Sequence, residues 1–204
     1  MEQNTVECIL SEAIRSTLGE VKHDDFIHED IGNLQYLKTA GLFHKSTFAR
    51  AAKSGDLDNL KYLHENGCPW NSQTFTNAVE QSELENLIWL KENGCPWDES
   101  TFARAALRGR LNVMKFLLEN GCPWDHVAFA SAVQYGSIEI LEWLLSNGCP
   151  WDQSSFARAA MFPDPKVIEW LKENGCPWDD DTFAQYEKKW LEHIDNPINY
   201  DTLS

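Results

Sequence analysis

Basic residues are scarce in this chain of 204 residues. Lys and Arg number 17 against 32 Asp and Glu, giving a formal net charge of −15 and a pI near 4.7. Such a charge repels phosphate backbones, which excludes non-specific nucleic-acid binding carried by lysine and arginine. Cysteine is also sparse: six in the whole chain fall well short of the roughly 8% that marks a disulfide scaffold. No apolar run approaches the roughly 18 residues needed to cross a bilayer, so no membrane span is expected. The opening MEQNTVECIL lacks a basic segment followed by an apolar one, so no secretory signal is expected. Absent too are the P-loop, the Gly-x-Ser-x-Gly elbow and His-Glu-x-x-His. The expectation is an intracellular, cytoplasmic protein without catalytic machinery or cofactor.

The acid that is present is unevenly placed. Residues 1–34 hold eight acids and two bases, and residues 179–204 hold seven and two. The long centre, 35–178, has 17 acids against 13 bases and is nearly balanced. Acidic ends around a balanced body serve solubility better than substrate recognition.

What the sequence has in abundance is repetition. Asn-Gly-Cys-Pro-Trp occurs five times, with its cysteine at Cys68, Cys95, Cys122, Cys149 and Cys176, each 27 residues after the last. Phe48, Phe75, Phe102, Phe129, Phe156 and Phe183 keep the same period. This is the signature of a repeat array. In the unit from Trp97 to Pro123, Asp98 or Ser100 can cap a first helix by accepting an unpaired backbone N–H. The stretch Phe102-Ala-Arg-Ala-Ala favours helix, and Gly109 ends it. A second helix follows with apolar Leu111, Val113, Met114, Phe116 and Leu117, and stops at Asn120-Gly121 before Pro123. In the fifth unit, Asp164-Pro165 supplies a capping acid with proline at the first helical position. Strands have no room. The predicted fold class is all-α, a helix–turn–helix solenoid.

The unit resembles an ankyrin repeat, in a shortened variety found in large DNA viruses and some protists. Where the family pattern has Thr-Pro-Leu-His-x-Ala-Ala, this chain has Ser100-Thr101-Phe102-Ala103-Arg104-Ala105-Ala106. The family's Gly-hydrophobic-x-x-Val-x-x-Leu-Leu-x-x-Gly-Ala matches Gly109 through Cys122. The resemblance covers about residues 30 to 194. The period of 27 replaces the usual one of roughly 33, and the missing residues fall where the family projects a β-hairpin finger.

The ends read as those of a solenoid. Residues 30–41 form a lone second helix. Before it, Val6, Ile9, Leu10, Ala13, Ile14 and Leu18 share one helical face, so residues 1–30 are expected to be an N-terminal helical cap. The repeat solenoid spans 31–194 and closes with a capping helix over 179–194, leaving 195–204 as a flexible tail. Tyr186 stands in the column otherwise held by Ala51, Ala78, Ala105, Ala132 and Ala159, and fits only where no further repeat packs.

The Cys-Pro-Trp ladder invites zinc or redox chemistry, but adjacent stacked helices sit about 8–10 Å apart, beyond the roughly 7 Å a disulfide allows. The ladder also lacks the paired spacing of a zinc site. The cysteines are therefore expected to be small buried residues in place of the family's Ala. Cys8 stands outside the ladder. Trp70, Trp97, Trp124, Trp151 and Trp178, with Tyr62, Trp89, Phe116, Trp143 and Trp170, could stack bases, yet no basic groove accompanies them; core packing is expected. The six histidines follow no repeat position, and His23 to Asp30 reads as a solvated loop without a metal.

Because the repeats serve as each other's alignment, positions that vary among them are free to recognise something. By the resemblance, the residue two after each Phe faces a concave groove, and that column reads Arg50, Asn77, Arg104, Ser131, Arg158, Gln185. A turn later come Lys53, Glu80, Leu107, Gln134 and Met161, then Ser54, Gln81, Arg108, Tyr135 and Phe162. The expected partner-binding set is Arg50, Lys53, Asn77, Glu80, Arg104, Leu107, Arg108, Ser131, Gln134, Tyr135, Arg158, Met161 and Phe162. Arg104, Arg108 and Arg158 would meet acidic groups, and Tyr135, Met161 and Phe162 would anchor apolar ones. The expected function is a non-catalytic scaffold for a protein partner, with neither nucleic acid nor membrane. Two alternatives stand beside it: a ubiquitin-ligase substrate adaptor docked through residues 1–30, and a metal- or redox-active protein using its Cys ladder.

Overall fold

The structure is a computed structural model that describes residues 31–184 apart from Ser82, Pro163 and Thr182, together with Lys188. The expected cap over residues 1–30, Gln185 and Tyr186, most of the capping helix and the tail lie outside the described residues. Among the described residues every regular element is an α-helix. The chain divides into two compact units, Met1–Pro96 and Trp97–Ser204. The first contains α1 (Ile31–Thr39), α2 (Lys45–Ser54), α3 (Leu57–Glu65), α4 (Ser72–Gln81) and α5 (Leu84–Glu92). The second contains α6 (Glu99–Leu107), α7 (Leu111–Glu119), α8 (His126–Tyr135), α9 (Ile138–Ser146), α10 (Gln153–Met161) and α11 (Pro165–Glu173). Helix α1 is the lone second helix of a half repeat, and the rest alternate first and second helices in a helical solenoid.

The first helices α2, α6, α8 and α10 each begin at a polar residue in extended conformation, His44, Asp98, Asp125 and Asp152. The Asp98 carboxylate accepts the Ser100 N–H at 3.0 Å, while the Thr101 hydroxyl accepts the Asp98 N–H at 3.4 Å, a reciprocal capping box. Asp125 and Asp152 accept the N–H groups of Val127 and Ser154 at 3.0 and 2.8 Å. Asp98, not Ser100, is therefore the cap of its unit. At α11 the Asp164 side chain accepts the Lys166 N–H with Pro165 in the first turn, as the sequence predicts.

The second helices of the five full repeats, α3, α5, α7, α9 and α11, end in one way, and every residue of Asn-Gly-Cys-Pro-Trp has a part in it. The side-chain amides of Asn66, Asn93, Asn120, Asn147 and Asn174 donate to the carbonyls of Tyr62, Trp89, Phe116, Trp143 and Trp170 at 2.7–2.9 Å. The glycine that follows turns left-handed, with φ between +72° and +79°. That turn aims each cysteine N–H at the leucine carbonyl five residues back, at 2.9–3.0 Å, so carbonyls the helix end leaves bare gain donors. The thiol lies 3.6–3.9 Å from the carbonyl that opens the first helix of the same pair: His44, Asn71, Asp98, Asp125 and Asp152 in turn. Proline then prevents continuation.

The tryptophan reaches back to the repeat before it. Trp70 packs on Phe48 at 5.0 Å and meets the edge of Trp89 at 6.3 Å. In the second unit Trp124 bridges Phe102 and Trp143, and Trp151 bridges Phe129 and Trp170. The phenylalanines are fully buried and these tryptophans half-buried. Alanines 51, 78, 105, 132 and 159 are all buried. With only a methyl to separate backbones, first helices lie directly side by side, α2 on α4 in the first unit and α6 on α8 on α10 in the second.

A methyl at Gly121 would meet nothing within 4 Å, so substitution there tests backbone conformation alone. Gly121→Ala should cost about 1 kcal/mol in urea denaturation, the penalty of a left-handed φ for an L-residue. A change within error would refute this account of the corner.

Candidate functional site

The ladder cysteines are the residues with the clearest chemical potential, and their surroundings quench it. All five are reduced and no more than 5% exposed. Burial pushes the Cys95 and Cys149 thiols up from an ordinary 9.0 to about 12, and Cys68 and Cys176 to about 11. A reactive thiol needs the opposite, an exposed sulfur with a lowered pKa. Among the described residues no three His, Cys, Asp or Glu gather to hold a metal ion. The segment from His23 to Asp30 lies outside the described residues. No described helix is long and apolar enough to cross a membrane.

The variable columns map onto the first helices, but the two units use them differently. In the first unit, Lys53 at the end of α2 sits 3.4 Å from the Glu80 carboxylate on α4. Its ammonium is half-exposed while the carboxylate is covered. The Asn77 amide donates to the Ala49 carbonyl at 2.9 Å and accepts from Gln73 at 2.6 Å. Three of the four predicted residues here thus tie neighbouring first helices together; the fourth, Arg50, is half-buried on α2. Asn86 adds a further tie from its side-chain amide to the Gly55 carbonyl.

In the second unit the same columns open outward toward their C-terminal ends. Arg104, Ser131 and Arg158 are half-buried, one on each of α6, α8 and α10. Leu107 and Gln134 are half-buried one turn on, whereas Met161 is 53% exposed. Arg108 is exposed, Tyr135 is 51% exposed and Phe162 is 48% exposed. Three large apolar side chains therefore end two adjacent helices in solvent.

Gly109 is a residue of this face that sequence reasoning assigned only to a turn. It has φ +64°, and an added methyl would fall 2.0 Å from Tyr135 Cζ, inside the ring's own space. The Tyr135 ring lies against the bare glycine backbone of the preceding repeat's turn. The clue in the sequence was that Tyr135 stands one repeat beyond Arg108, the immediate neighbour of Gly109.

A family model described as ankyrin repeats (3 copies) matches residues 48–155. No curated protein sequence matches the chain. Among solved structures, the chain is similar to the pentatricopeptide repeat protein PPR10 in complex with an 18-nt psaJ RNA element, at 14% identity and a TM-score of 0.39. A variant of that complex with three cysteines replaced by serine gives the same values. In both, 97% of this chain is covered, and it spans about 37% of the length of the other.

At pH 9.0 a chromogenic disulfide reagent should titrate no more than one thiol of the native chain, Cys8, and six after unfolding in urea. Two or more fast native thiols would contradict the corner geometry. The unfolded chain releases thiol protons from about pH 9 that the folded chain keeps to about pH 11. The thiol contribution to stability is therefore present below that range and falls as pH rises through it, which denaturation midpoints across the range will show.

Proposed function

The chain belongs to the ankyrin-repeat family, and we propose that it acts as a non-catalytic scaffold that presents its first helices to a protein partner. Ankyrin repeats are protein–protein interaction modules. The observation that carries the reading is a division of labour within repeats of fixed 27-residue period. The phenylalanine column from Phe48 to Phe156, the cysteine column and the alanine column before Tyr186 stay constant and are buried, while the columns around them change from repeat to repeat. Positions that hold the stack together cannot vary, and those that vary are the ones a partner can read.

Recognition in this reading centres on the second unit. Arg104 and Arg158 flank Ser131, with Arg108, Leu107 and Gln134 alongside and Tyr135, Met161 and Phe162 at the exposed end. Arg50, Lys53, Asn77 and Glu80 supply the corresponding face of the first unit, where the Lys53–Glu80 pair and the Asn77 hydrogen bond leave less for a partner. A face built on packed helices is ordered before it binds, which lowers the entropic cost of association.

Replacing Arg104 and Arg158 together by glutamate should weaken capture of the partner by at least about tenfold, since reversed charges oppose the groups they met. Stability should stay within about 0.5 kcal/mol per site, as for other substitutions that leave the core untouched. Unchanged affinity would remove these residues from the binding face. Loss of folding would make them structural.

A further inference from the structure

The second unit separates its charges along its first helices. Its first helices with their caps and turns, residues 98–110, 125–136 and 152–162, carry four arginines and four acids, and the acids Asp98, Glu99, Asp125 and Asp152 all sit at the helix starts. Its second helices and corners, residues 111–124, 137–151 and 164–178, carry three bases against six acids. A chain of net charge −15 thus sets Arg104, Arg108 and Arg158 in the variable columns of its second unit and no acid among them. Acidic groups of a partner are attracted to those columns and repelled from the helix starts and the second helices, so the field selects both the partner and the side it approaches.

Beside those arginines lies the apolar end of the same columns. Tyr135, Met161 and Phe162 are each about half-exposed, at the ends of α8 and α10. Tyr135 is held in place from beneath, because its ring fills the volume a side chain at Gly109 would need. An aromatic ring fixed in this way loses little freedom when a partner covers it, which is the property of an anchor site.

We infer that the second unit binds a linear peptide segment that sets acidic side chains beside a bulky apolar one. The acids meet Arg104, Arg108 and Arg158, and the apolar residue packs on Tyr135 between the turn at Gly109 and the pair Met161 and Phe162. This inference rests on the scaffold reading and adds the chemistry of the partner. It also makes Gly109 a specificity residue, through the ring it allows to lie flat.

Random linear peptides displayed on phage and selected on the full chain test this. The expected result is enrichment of peptides that pair Asp or Glu with Leu, Ile, Phe or Trp. Their affinity should fall at least about tenfold with Tyr135→Ala, and likewise with Arg104→Glu plus Arg158→Glu. Gly109→Ala should weaken them as well, by displacing the ring without removing it. Peptides without acids, acidic peptides indifferent to Tyr135→Ala, or no enrichment at all would each overturn the inference. Neutral peptides that still lose binding on these substitutions would do so while leaving the scaffold reading intact. Peptides indifferent to every substitution on the face would remove both.

Discussion

The contact on which each repeat depends is the one between a buried thiol and the carbonyl that opens its own helix pair. A second helix could leave its last turn in many directions. The left-handed glycine chooses one, the asparagine side chain secures the helix end, and the cysteine N–H closes the turn. The sulfur then lies buried against the first helix's start, as a small apolar group. Both helices are thereby fixed at their distal ends, and the tryptophan that follows is delivered onto the phenylalanine of the repeat just completed.

This arrangement explains how a 27-residue unit manages without the projecting finger of the longer repeat. Helices of nine or ten residues have little intrinsic stability. Their persistence comes from tertiary contact: fully buried phenylalanines, an alanine column that brings first helices together, and aromatic rings that bridge successive pairs. Because those tasks are confined to fixed columns, the remaining surface of the first helices is released from structural duty.

Much of this was legible in the sequence, since five registered copies of Asn-Gly-Cys-Pro-Trp announce both the helix pair and its end. Burial of the cysteines followed from their standing in place of the family's Ala, and the Asp164-Pro165 start of α11 from a capping acid followed by proline. Other features were not legible because they depend on what the neighbouring repeat places opposite. Lys53 and Glu80 stand in one column and read as partner-facing, yet they face each other across α2 and α4. Asn77 reads as a recognition residue and also holds the Ala49 carbonyl. Gly109 reads as a turn, and its second use, as the floor beneath Tyr135, requires the distance between repeats. The tryptophans read as core and are half-buried, with Trp178 48% exposed.

The central claim is that the columns which build the repeats and those which recognise a partner are different columns. An alanine scan of the second unit, read by resistance of the full chain to proteolysis, tests it without any partner. Substitutions at Arg104, Arg108, Ser131, Arg158 and Met161 should shift unfolding by no more than about 0.5 kcal/mol. Substitutions at Phe102, Phe129 and Leu117 should cost about 2–5 kcal/mol. Losses at the variable columns as large as those at the buried ones would show that the supposed recognition face is part of the fold, and would contradict the account.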